Sequence, residues 1–188
     1  MRLIIHRILK NIVTFSLVTM FFACSNDSNE VREFFTAKNL PIGVDINTNY
    51  VYKDSGRITS KMRTPMRNDF SNRNGHPYYE FPKGIELISF ENNGKDSISI
   101  QGDYCLTYLK TNISELKGNV VIINHTDQSK LTTSQLFWDQ NTNYFFSEKA
   151  FVLTSPENVM KGIGFESKKD LSKFLAKKMS GEILAEEN

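Results

Sequence analysis

"KLTTSQLFWDQ", from Lys130 to Gln140, carries a pattern that recurs along the chain. Leu131, Thr133 and Leu136 follow a frame: apolar, any residue, small, any two, apolar. Alternation with a period of two is the mark of a strand. The step at the small residue shifts the side-chain parity by one, as a bulge or a bend between two short strands does. The same frame stands 31 residues earlier in "ISIQGDYCLTY", at Ile100, Gly102 and Cys105. It returns at Met160, Gly162 and Phe165, and begins weakly at Met62 and Thr64. The same offset carries Val120 onto Phe151 and Ile122 onto Leu153. The chain therefore repeats a unit of about 30 residues, each a pair of short strands. Stacked units build two facing layers, because each layer has one apolar face to cover. The inward candidates are Val120, Ile122, Leu131, Leu136, Trp138, Phe145, Phe151 and Leu153.

Working outward, "YYEFPKGIELISFENNGKDSISIQ" predicts a Pro-Lys-Gly turn, a strand over 85–90, an Asn-Asn-Gly hairpin turn and a strand from about 96. Before it, "RITSKMRTPMR" alternates strictly, with Ile58, Met62 and Met66 on one face and Arg57, Lys61, Arg63 and Arg67 on the other. Pro65 places a bulge or an edge near the end of that strand. The basic face suits phosphates of an anionic lipid or an acidic partner surface. It better suits a solvated face that discourages edge pairing. In the tail, Leu171, Phe174 and Leu175 have helical spacing, whereas "KKMSGEI" reads as a last edge strand.

The 188 residues are enough for one domain with a core, and fourteen Phe with seven Tyr favour strands. The net charge of +2 is uneven. Residues 1–23 hold Arg2, Arg7 and Lys10 and no acid, and without them 20 basic side chains face 21 acidic ones. That balance makes no case for nucleic acid. Residues 1–23 read as a secretory signal, with the apolar run "IVTFSLVTMFFA" too short to span a bilayer comfortably. Ala23 before Cys24 resembles the lipobox of bacterial lipoproteins, which makes Cys24 the lipidation site; the other reading is an uncleaved membrane anchor with an incidental cysteine. Residues 24–48 then form the acylated cysteine and a tether, and 49–188 the folded domain.

Catalytic patterns do not stand out. His76 and His125 lie in loop-like stretches, and no phosphate loop, HExxH or paired cysteine motif occurs. Cys105 alone makes neither a disulfide nor a zinc site, and reads as a small buried hydrophobe. No metal or cofactor is implied, and the chain is expected not to be an enzyme.

Taken in order, "YKDSGRITSKMRTP", "YYEFPKGIELISF", "GDYCLTYLKTN", "ELKGNVVI", "LTTSQLFWD", "FSEKAFVLTSP" and "GIGFESKKDLSKF" resemble LptC, the periplasmic component of lipopolysaccharide export, in its Bacteroidetes form. The resemblance runs from Tyr50 to Ile183. It implies an all-β fold, an open V-shaped β-jellyroll of stacked antiparallel strands with a slot for the acyl chains of lipopolysaccharide. It implies a site between the inner-membrane ABC transporter and an LptA-like periplasmic bridge, with the jellyroll edges docking to each. The apparent lipid anchor departs from the membrane helix of the better-known proteobacterial members. On that reading the eight inward candidates line the slot. A lipoprotein scaffold that binds envelope proteins without carrying lipid is the rival reading, and a filled, closed jellyroll would favour it.

Overall fold

The computed structural model describes residues 29–30, 33–34 and 38–180. The signal segment, Cys24 and residues 181–188 lie outside the described residues. Contacts divide the chain into Met1–Asn39 and Leu40–Asn188. In the first unit, Phe34 is exposed and holds the Lys38 ammonium 4.9 Å from its ring centre.

The second unit is all-β. Its strands are β1 Gly43–Asp54, β2 Arg57–Phe70, β3 Tyr78–Phe81, β4 Ile85–Glu91, β5 Asp96–Gly102 and β6 Tyr104–Tyr108. They continue as β7 Ile113–Asn124, β8 Lys130–Asp139, β9 Tyr144–Thr154, β10 Val159–Lys168 and β11 Phe174–Ser180. Every pairing is antiparallel. The sheet becomes simple once β3 and β4 are taken as one strand broken at residues 82–84, and β5 and β6 as one broken at Asp103. β3 and β4 both pair with β2, and β5 and β6 both pair with β7. β3 pairs β6 while β4 pairs β5. The chain is then a meander of nine long strands, each beside its neighbours in sequence.

The breaks between β3 and β4 and between β5 and β6 line up with irregularities in the middle of other long strands, so the sheet folds into two arms along a crease. Arm A holds β3, β6 and the halves of the long strands beside them; arm B holds β4, β5 and the other halves. The register breaks at Lys117/Val120, Thr133/Phe137 and Ile163/Phe165 mark the crease in β7, β8 and β10. The small residue of the repeated frame sits there: Gly102, Thr133, Gly162 and Thr64. Gly84 shows why small residues are needed. It adopts φ +81°, and a Cβ on it would lie 2.4 Å from the Gly102 carbonyl oxygen. At Gly162 a Cβ would lie 2.3 Å from the Lys178 carbonyl oxygen. The repeat is therefore a hairpin of two bent strands, as the sequence predicts.

One expectation changes, and one open alternative is settled. β1 begins at Gly43, so the last residues of the predicted tether pair with β2 from Asp69 onward. The tail over 174–180 is strand, not helix. Leu171 belongs to a turn, Phe174 stacks inward on Phe165, and Leu175 faces outward at 64% exposure, so the helical spacing is broken between two faces of a sheet.

Candidate functional site: the inner faces of the two arms

The arms enclose one apolar cluster, and its residues fall into rows along the hydrogen-bonded direction. In arm B one row crosses eight strands: Tyr50, Met62, Leu87, Ile100, Ile122, Leu131, Leu153 and Met160. In arm A the row beside the crease is Phe81, Cys105, Leu116 and Leu136. These rows are buried because alternation sends every second side chain inward. Each fully buried aliphatic or aromatic side chain contributes about 1.5–3 kcal/mol relative to exposure.

Farther from the crease, toward the strand ends, polar side chains join the apolar ones on both inner faces. In arm B the next row is Tyr52, Ser60, Ser89, Ile98 and Asn124. In arm A it is Tyr79, Thr107, Ser114, Trp138, Phe145, Ser167 and Phe174. The hydroxyls of Thr107 and Ser114 are 2.8 Å apart, and the Gln140 amide donates to Ser114 Oγ at 2.8 Å. Trp138 packs edge-on against Phe145, and its indole N–H is buried without a hydrogen-bond partner. A buried donor left unmatched is costly, and an oxygen-bearing ligand would satisfy it. The interior is thus apolar beside the crease and mixes hydroxyls and an amide with aromatic rings toward the strand ends.

All eight residues expected to line a slot are in this cluster or packed on it. Val120, Ile122, Leu131, Leu136, Phe145 and Phe151 are exposed by 2% or less. Trp138 and Leu153 are partly buried nearer its margin. The structure thus brings the eight together, in an interior filled by their own side chains. The slot candidates leave out Tyr50, Met62, Leu87 and Ile100, which extend the same row into β1, β2, β4 and β5. The Met62/Thr64 and Ile100/Gly102 copies of the frame carry the signal for two of them. Cys105 is 1% exposed, and burial pushes its thiol pKa up to about 12, so it is an inert core residue.

The basic residues separate. Arg57, Lys61 and Arg63 are exposed. Lys61 lies 5.8 Å from the Phe90 ring centre, and Arg63 is 4.0 Å from Glu86 with both partners well solvated. Arg67 does not share their face, contrary to the strict alternation read from the sequence. The bend at Thr64 and Pro65 shifts the parity, so Arg67 turns inward and Met66 does not. Its guanidinium lies between the rings of Tyr50 and Tyr79, at 5.0 and 4.7 Å, and meets Asp45 at 2.6 Å. The Tyr50 hydroxyl also donates to Asp45. Burial and that bond to a carboxylate push the Tyr50 pKa up to about 12, against the opposing pull of Arg67.

Two sheet edges remain. Among the described residues, β1 pairs only with β2 and β11 only with β10. Also among the described residues, no cluster of three or more His, Cys, Asp or Glu could hold a metal, and no helix is long and apolar enough to cross a membrane.

A search of curated proteins gave no match. Residues 37–178 match the family described as Lipopolysaccharide-assembly, LptC-related. That span covers β1 to β10 and all but the end of β11. With a nine-strand bent meander around an amphipathic interior, the chain belongs to the LptC-related family of lipopolysaccharide assembly, whose members are transport components of the cell envelope and not enzymes.

Proposed function

We propose that this protein carries lipopolysaccharide between its two arms. It receives the lipid from an inner-membrane ABC transporter and passes it to an LptA-like bridge in the periplasm. The observation that carries the reading is the order of side chains on the inner faces. Rows of Met, Leu, Ile and Phe lie at the crease, and Ser, Thr and Asn appear toward the mouth. An amphipathic lipid has the same order, with acyl chains at one end and phosphorylated sugars at the other. Acyl chains would replace side-chain contacts between the arms as the arms part, and the Trp138 N–H would gain an acceptor. Arg57, Lys61 and Arg63 supply exposed positive charge for phosphates or an acidic partner. The outer edges of β1 and β11, unpaired among the described residues, suit strand addition by the transporter on one side and the bridge on the other. Lipidation of Cys24 would hold the domain at the inner membrane.

A second reading is favoured by one observation, the completeness of side-chain filling at Val120, Ile122, Leu131 and Leu136. A filled sandwich suits a lipoprotein scaffold that binds envelope proteins and no lipid. One experiment separates the two. A photo-crosslinking residue replaces Leu153 on the inner row, and a control replaces Lys161 on the outer face of the adjacent strand, in cells making lipopolysaccharide. A lipopolysaccharide adduct at Leu153 and not at Lys161 supports carriage. Adducts at neither position in a folded protein would establish the scaffold reading instead.

A further inference from the structure

The mouth between the arms is bridged by the turn that joins β10 to β11. β10 ends in arm A, where Lys168 pairs with Tyr144. The next three residues reach across to arm B. Lys169 donates to Ser89 Oγ at 3.1 Å and meets the Glu91 carboxylate at 2.7 Å, with its own side chain only 12% exposed. The Asn124 side-chain amide donates to the Asp170 carbonyl at 2.8 Å. Leu171 drops into the apolar cluster at 7% exposure. It does so with φ 62°, a left-handed conformation that a leucine adopts only under constraint.

Those four facts belong together. The partners come from β4 and from the end of β7, both in arm B, whereas the turn is anchored in arm A by Lys169 N–H to Asn143 O at 2.9 Å. A turn serving only to connect two neighbouring strands needs no buried lysine, no cross-arm bond and no strained leucine. The strain is sustained by the apolar contacts of Leu171 and by the polar bonds beside it, so losing one weakens the others.

We infer that Lys169–Leu171 is a strap that closes the mouth of the empty protein, with Leu171 occupying space that a lipid acyl chain takes when the strap lets go. This rests on the carriage reading for the identity of the ligand, but the strap itself is a statement about access to the interior. Release relaxes Leu171 to an ordinary backbone conformation and leaves Ser89, Asn124 and Lys169 facing the mouth.

Cys105 is a native reporter, because it lies on the inner row of arm A at 1% exposure. Alkylation by a small maleimide is followed at the Cys105 peptide by mass spectrometry, in the full chain and in Lys169→Met and Leu171→Gly. Glycine tolerates the left-handed backbone, so the second variant removes the side chain without breaking the turn. Amide exchange at Leu116, beside Cys105 in the sheet, reports global opening. Each variant is expected to label Cys105 about tenfold faster or more at unchanged Leu116 exchange, as local opening does. Unchanged labelling, or a rise matched by Leu116 exchange, overturns the strap. Capture of lipopolysaccharide from micelles is measured on the same samples. Faster labelling with no capture leaves the strap standing and overturns lipid carriage; faster labelling with greater capture supports both.

Discussion

Arg67→Met is the substitution that tests the geometry most directly. The guanidinium makes three partly desolvated contacts, with the rings of Tyr50 and Tyr79 and with Asp45. A cation over an aromatic face is worth about 0.5–1 kcal/mol when exposed and about 2 when desolvated, so a side chain 22% exposed gains roughly 1 kcal/mol from each ring. The ion pair is open to water on the Asp45 side, where the side chain is 36% exposed, which lowers its worth to about 1 kcal/mol, well under that of a fully buried pair. The loss on substitution is then about 3 kcal/mol. With a urea dependence of about 2 kcal/mol per molar for a domain of this size, the unfolding midpoint falls by about 1.5 M. Arg63→Met is the control. Its pair with Glu86 is 4.0 Å long, with side chains 74% and 65% exposed, so the change stays within about 0.5 kcal/mol. A double-mutant cycle with Asp45→Asn should return a coupling of about 1 kcal/mol. Urea unfolding of Arg67→Met that cannot be told from Arg63→Met would refute the parity shift and put Arg67 back on the solvated face.

Leu136→Ala removes a side chain with no exposure from the row beside the crease and should cost about 3–5 kcal/mol in urea melts, while Leu175→Ala, on the outer face, costs less than about 0.5. Gly162→Ala should lose about 3 kcal/mol or more, since its Cβ meets backbone at 2.3 Å and the Phe151 ring at 2.8 Å. Gly56→Ala, at φ +81° with open space around it, should lose only about 1–2 kcal/mol, and comparable losses at the two glycines would contradict the close packing at the crease. Burial works to raise the Asp170 pKa, but the hydroxyl and amide of Ser172 and the charge of Lys168 outweigh it and hold the carboxyl below its ordinary 3.8. A depressed carboxyl stabilises the fold above that value and loses its contribution as pH falls through the folded pKa, so the Ser172 amide shift should titrate with a midpoint under 3.8. A midpoint at or above 3.8 would remove Asp170 as the support of that turn.

The sequence by itself determined that the domain is a stack of bent strand pairs. Alternation places Leu131, Ile122 and Leu153 on one face, and the small residue in each copy of the frame marks a change of parity, because both are properties of one strand and its immediate neighbours. The Pro-Lys-Gly and Asn-Asn-Gly turns were legible for the same reason. The ordered motifs pointed to the LptC family, and the match over residues 37–178 agrees. The inward candidates of β7, β8 and β9 were therefore found, while their continuation into β1, β2, β4 and β5 was not, since cross-strand register depends on which strands meet.

Tertiary structure alone decided the rest. Arg67 reads as one more basic residue in an alternating run, and only the bend in β2 brings it between Tyr50 and Tyr79. The tail reads equally as a helix face through Leu171, Phe174 and Leu175 or as an edge strand, and only pairing of β11 with β10 assigns these residues to a turn and to opposite sides of a sheet. Lys169 and Ser89 are 80 positions apart, and nothing in either neighbourhood predicts that they meet. Local alternation sets which side of a strand a residue takes. The fold of one sheet onto itself sets which residues of the two arms face each other across the mouth.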